Sequence, residues 1–160
     1  MEAADAEILK AIAMNDCPGY RMTRALYCII WGRFAEAQLE LAAVDASGGD
    51  RSVILFHRAL LAELSGKTER AIGLYEQYLE KPVAGAQMGI QRSLAYNNLA
   101  NAKCKLAGRA VTSGVSYLYD EALRQEPRNY LALCNRAIHR LRGSVQGSLF
   151  DNSNHGNVDV

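Results

Sequence analysis

Thiols and imidazoles have the widest chemical range of any side chains in this sequence, and their spacing limits what chemistry is open to it. The four cysteines are Cys17, Cys28, Cys104 and Cys134. No two stand in CxxC spacing, and no histidine lies near one of them in metal-ligand register, so neither a zinc site nor a redox disulfide is indicated. They read as small apolar residues kept reduced, which points to an intracellular, cytoplasmic protein. His57 and His139 fall within helical sequence and His155 in a polar tail. No Ser, His and acid group forms a nucleophile pattern, and neither an HExxH run nor a phosphate-cradling glycine loop occurs. The expectation is a non-enzymatic chain with no cofactor and no metal.

Charge narrows the partners. Lys and Arg number 18 against 17 Asp and Glu, for a net charge of +1. Such a balance supplies no global field toward nucleic acid or an anionic membrane. The first residues, Met-Glu-Ala-Ala-Asp-Ala-Glu, lack the basic and apolar regions of a signal peptide. No apolar run approaches the roughly 20 residues that span a bilayer, so no membrane insertion is expected.

The organisation of the chain emerges from self-comparison. Gly32-Arg33-Phe34-Ala35-Glu36-Ala37 lies 34 residues before Gly66-Lys67-Thr68-Glu69-Arg70-Ala71. Thr23-Arg24-Ala25-Leu26 lies the same 34 residues before His57-Arg58-Ala59-Leu60, and Asn135-Arg136-Ala137-Ile138 repeats the phrase. This interval is that of a two-helix repeat. Small residues recur in each first helix (Ala25, Ala59, Ala100, Ala137) and in each second helix (Ala37, Ala71, and Val115 as the poorest match), where helix axes approach closely. Leu41, Tyr75 and Tyr119 follow four residues later and would plug the gap to the next pair. Pro82 and Pro127 stand where second helices should stop.

Two segments carry a family likeness. Ala95-Tyr-Asn-Asn-Leu-Ala-Asn-Ala-Lys-Cys-Lys-Leu106 resembles the first helix of a tetratricopeptide repeat, and Tyr119-Asp-Glu-Ala-Leu-Arg-Gln-Glu-Pro-Arg-Asn129 the end of the second. The resemblance covers roughly residues 4–142, and the recurrence at fixed offsets makes the set more specific than any one match. It departs from the family at Arg24, Arg58 and Arg136, where a buried leucine is usual, and at Ser47-Gly48-Gly49, where the first repeat lacks its closing proline. The fold implied is an all-α, right-handed superhelical solenoid of about three helix pairs, with an N-terminal helix and a C-terminal capping helix. The expected layout is a helix at 3–14, repeats at 20–46, 52–81 and 88–126 with an enlarged turn at Ala107–Gly114, and a lone helix at 128–142. Together these make a repeat domain at 1–142, followed by a disordered polar tail at 143–160.

In such a solenoid the first helices line a concave groove, and the family's inward-facing positions map onto one stripe per helix. These are Met22 and Leu26 with Ile29; Phe56, Leu60 and Glu63; Asn97 and Asn101 with Cys104; and Cys134 and Ile138 with Leu141. An apolar stripe can take the hydrophobic face of a partner helix, and asparagines can pair with the backbone of an extended segment. The alternative is that the N-terminal helix fills the groove and these residues are core. The three departing arginines could form a basic ladder, but stems packed between helices with heads paired to nearby Glu are the preferred reading. The family's two-carboxylate clamp needs cations that these positions lack: starting at repeat one they hold Met22, Leu26, His57, Leu94 and Asn98. The function implied is protein binding, as a scaffold or adaptor subunit of a larger intracellular complex. The alternatives are a dedicated client or secretion chaperone cradling an unfolded segment, and a helical-repeat RNA-binding protein, against which the charge argues.

Overall fold

Helix-stop signals account for most of the element boundaries. The computed structural model describes residues 2–81, 87–108 and 114–153. Among them are eight helices and no strand: α1 (Glu2–Met14), α2 (Pro18–Ile30), α3 (Phe34–Ala46), α4 (Arg51–Leu64), α5 (Thr68–Leu79), α6 (Gln87–Ala107), α7 (Ser116–Gln125) and α8 (Tyr130–Ser153). Pro18 opens α2 at a position where its missing N–H costs nothing. Asp50 caps α4, its carboxylate accepting from the N–H of Ser52 at 2.7 Å and of Val53 at 3.4 Å.

The same turn closes α2 and α4. Gly32 and Gly66 have φ of +73° and +79°, a conformation that costs any residue with a Cβ. The next amide then reaches back over the helix end, Arg33 N to Cys28 O and Lys67 N to Ala62 O, both at 2.8 Å. This is the Schellman closure, and the 34-residue repeat is thus repeated in backbone geometry.

The chain divides into two compact units, Met1–Pro82 and Val83–Val160. In the first, each helix packs on the next from α1 to α5, and α2 also meets α4. Ala25, Ala37, Ala59 and Ala71 are fully buried, as their recurrence implied, and Leu41 and Tyr75 are buried with them. In the second, α6, α7 and α8 pack on one another, with Ala100, Ala122, Ala132 and Tyr119 inside.

Charge positions α1, whose Ile8, Ala11 and Ile12 are half-buried. Its one buried residue among those described is Asp5. That carboxylate accepts from Arg24 Nε at 3.1 Å and from Arg33 Nη1 at 2.5 Å. Arg24 also reaches Glu40 at 2.5 Å and Glu36 at 2.9 Å, and Arg21 joins Glu40 at 3.0 Å to Asp16. Arg33, and to a lesser degree Arg24, hold the Asp5 carboxyl below its ordinary 3.8, against the opposing effect of burial. Arg58 pairs with Asp45 at 2.9 Å and Arg136 with Asp120 at 2.7 Å. All three departing arginines are therefore neutralised within the fold, and no basic ladder is left.

Three expectations need correction. Helix α8 runs on to Ser153, so the tail is helical for much of its expected disordered length; residues 154–160 lie outside the described residues. Val115 is not a small position within a second helix: it stands ahead of α7 as its N-cap, and Ala122 is the fully buried alanine of that helix. Ala137 is exposed, because no described helix follows α8 to cover that face, and Ala132 takes the buried position. Pro82 and most of the enlarged turn lie outside the described residues, although α6 does end at Ala107.

Candidate functional site

The apolar half of the expected groove is largely spent as core. In the first unit Met22 and Leu60 pack against the buried cluster of Ala25, Cys28, Ile29, Ala37 and Leu41, and Leu26 is half-buried. Phe56 is only 7 % exposed, its ring 5.6 Å from that of Tyr78 and 6.3 Å from that of Tyr75. Glu63 accepts the Tyr75 hydroxyl at 2.6 Å. Among the described helices α1 packs on α2 and makes no contact with α4, so the burial of Phe56 and Leu60 on α4 does not come from α1. An open cavity of about 410 Å³ does exist in this unit, with Leu41 and Leu61 in its wall and Arg58, Lys67 and Arg70 around it, but none of the expected groove residues lines it.

The amides of the second unit act within the fold. Asn97 is 2 % exposed; its Oδ1 accepts from Asn135 Nδ2 at 3.0 Å, and its Nδ2 donates to Asn98 Oδ1 at 3.2 Å. It ties α6 to α8 and is not open to a partner, which corrects the expectation of a free amide pair. Asn101 is half-buried and accepts the Tyr119 hydroxyl at 2.8 Å. One turn before Asn97, Ser93 donates to the Ala122 carbonyl at 2.7 Å and accepts from Asn129 at 2.8 Å, so α6 is stitched to both neighbours. A buried amide left without a partner costs about 1–3 kcal/mol, and here each finds one.

Cys134 and Ile138 are exposed. They belong to a stripe on α8 made by Leu131, Cys134, Ile138 and Leu141, at alternating spacings of three and four. Leu131 is 62 %, Ile138 48 % and Leu141 66 % exposed. Such spacing gives one continuous apolar face.

Beside this face lies a cavity of about 320 Å³, walled by Asn101, Cys104, Tyr119, Ile138 and His139, with Lys105 and Arg142 among its lining. Cys104 Sγ stands 3.7 Å from His139 Nδ1, within hydrogen-bonding reach for sulfur, and the His139 ring tilts against Tyr119 at 5.9 Å between centroids. His139 is buried while Cys104 is half-exposed. Burial first, and then the neighbouring Cys104, push the Tyr119 phenol well above its ordinary 10.0, so it stays protonated and donates to Asn101. Cys104 was expected in the groove stripe and His139 only as a helical residue, not as a pair. Their separation of 35 residues, close to the 34-residue interval of the sequence, was the signal, and it places them face to face on α6 and α8.

All four cysteines are free thiols, and among the described residues no three His, Cys, Asp or Glu converge as a metal set. No described helix is long and apolar enough to cross a membrane. No family model, curated protein or solved structure matches the chain.

Proposed function

We propose that this chain is a tetratricopeptide-like repeat module that binds a segment of another protein, as a scaffold or adaptor subunit, and that the outer face of α8 is where the segment docks. The observation that carries the reading is the exposed stripe of Leu131, Cys134, Ile138 and Leu141. An apolar face of this width on a charged surface is what an amphipathic partner helix buries. The duplicated Schellman closures at Gly32 and Gly66 and the buried alanines around them support the repeat assignment. Residues 83–160 carry more Lys and Arg than Asp and Glu, so a partner segment with acidic flanks fits best.

Quantitative affinity purification from the native cell tests this. The double variant Ile138→Asp with Leu141→Asp should lose the proteins that the parent retains. Leu39→Asp, at an exposed leucine of the first unit, should retain them. Melting temperatures of all three should agree closely, because none of the changed side chains is core. Retention of the same proteins by the α8 variant overturns the docking face.

A further inference from the structure

The cavity beside α8 holds chemistry that protein docking does not use. A thiol and a buried imidazole meet at its wall, and Lys105 and Arg142 contribute cations to its lining. Both cations are exposed, and among the described residues neither makes an ion pair. Of the other cysteines, Cys28 is sealed in the core of the first unit, where burial pushes its thiol up, and Cys134 is open to solvent. Cys104 therefore differs from Cys28 and Cys134 in combining a base within reach, an open approach and positive charge around the approach.

We propose that Cys104 is a thiol-modification site that exchanges with anionic low-molecular-weight disulfides of the glutathione type, with His139 as its base. In the tautomer that carries its proton on Nε2, His139 accepts the Cys104 thiol proton at Nδ1. The Cys104 thiolate attacks one sulfur of the disulfide. A new S–S bond forms to Cys104, the original S–S bond breaks, and its electron pair leaves on the departing thiolate, which takes the proton back from His139. One thiol and one disulfide give one mixed disulfide and one thiol, with no further oxidant. Lys105 and Arg142 attract the carboxylates of the incoming disulfide, and Tyr119, held neutral, adds no opposing charge. A group of this size would fill the cavity that Asn101 and Ile138 border, so the modification would alter the surface next to the α8 stripe. The site stands on its own geometry and does not depend on partner docking.

The test uses the full chain, reduced and then freed of reductant, with glutathione disulfide as one probe and neutral iodoacetamide as the other. Peptide mass mapping reads each cysteine separately, so Cys134 serves as the reference inside the same molecule. Cys104 should react with both probes about tenfold faster than Cys134, although it is less exposed. His139→Gln should remove that advantage. The double variant Lys105→Gln with Arg142→Gln, at two exposed positions, should slow the glutathione reaction severalfold and leave the iodoacetamide rate unchanged. A parent in which Cys104 reacts no faster than Cys134 overturns the site without recourse to any variant. Equal slowing of both probes by the charge variant overturns the anionic class.

Discussion

Replacing Arg24 by Met keeps most of the aliphatic stem and removes the head that links α1, α2 and α3. Three carboxylates then lose a donor: Asp5, Glu40 and Glu36. Stripping one partner from a fully buried ion pair costs about 3–5 kcal/mol. The full figure does not apply here. Asp5 keeps Arg33 at 2.5 Å, Glu40 keeps Arg21 at 3.0 Å, and Glu36, whose side chain is 40 % exposed, keeps Arg33 at 2.6 Å. Those remaining contacts bring the expected loss to about 2 kcal/mol, equivalent in a chain of this size to roughly 4–8 °C in melting temperature. The dependence on pH gives the prediction a second edge. Asp5 and Glu36 both have folded pKa values below their ordinary 3.8 and 4.5, so their contribution is fully present above those values and is lost as pH falls through the lower folded ones. Urea titrations followed by circular dichroism should therefore separate parent and Arg24→Met widely at pH 7 and bring them together toward pH 3. Equal midpoints at pH 7, or a gap that persists undiminished in acid, would refute the role given to the network.

Ala71→Glu should cost roughly 3 kcal/mol or more, since it forces volume and charge into the fully buried contact of α5 with α4; a variant melting within a degree or two of the parent would remove Ala71 from that contact. Asn97→Ala should destabilise by about 1–3 kcal/mol by stranding Asn135, and Asn135→Ala placed on top should cost less than it does alone; strict additivity in that double-mutant cycle would dissolve the pair. Burial lowers the His57 pKa from 6.5, while its Nδ1 stands 2.8 Å from the Val53 carbonyl. The folded state then binds fewer protons than the unfolded one below that value, and stability should fall with acidity from pH 6.5 by at most about 1.4 kcal/mol per unit. His57→Gln should flatten this slope in denaturant titrations at pH 7 and 5.5, and an unaltered slope would assign it to other groups.

Residue pattern carried the element boundaries and the close-packed positions well. Glycines at a fixed interval and alanines at fixed offsets from them follow from backbone sterics and axis separation, which are local and repeat with the sequence. The expected site was less legible, because facing inward in a repeat does not say whether a neighbour already covers the face. Met22 and Phe56 were occupied from within the stack, whereas Ile138, at an equivalent position, was left open because no described helix lies over it. Asn97 shows the same difficulty from the polar side: an amide suited to a partner's backbone is equally suited to Asn135, which is far away in sequence and one hydrogen bond away in space. Arg24 looked like a lost leucine until its three carboxylates, from α1 and α3, were placed around it.

The fork that two guanidiniums make around Asp5 has a consequence for how α1 finds its place. An apolar stripe against an apolar groove tolerates sliding, since one turn along the helix offers a similar contact at similar energy. A single carboxylate gripped from two directions does not: displacement by one residue along α1 would present Ala4 or Ala6 to Arg24 and Arg33 and take the Asp5 carboxylate from both. Such a contact contributes little net binding energy, because desolvation consumes most of the attraction. What it supplies is uniqueness of address, so that α1 docks in one position or not at all.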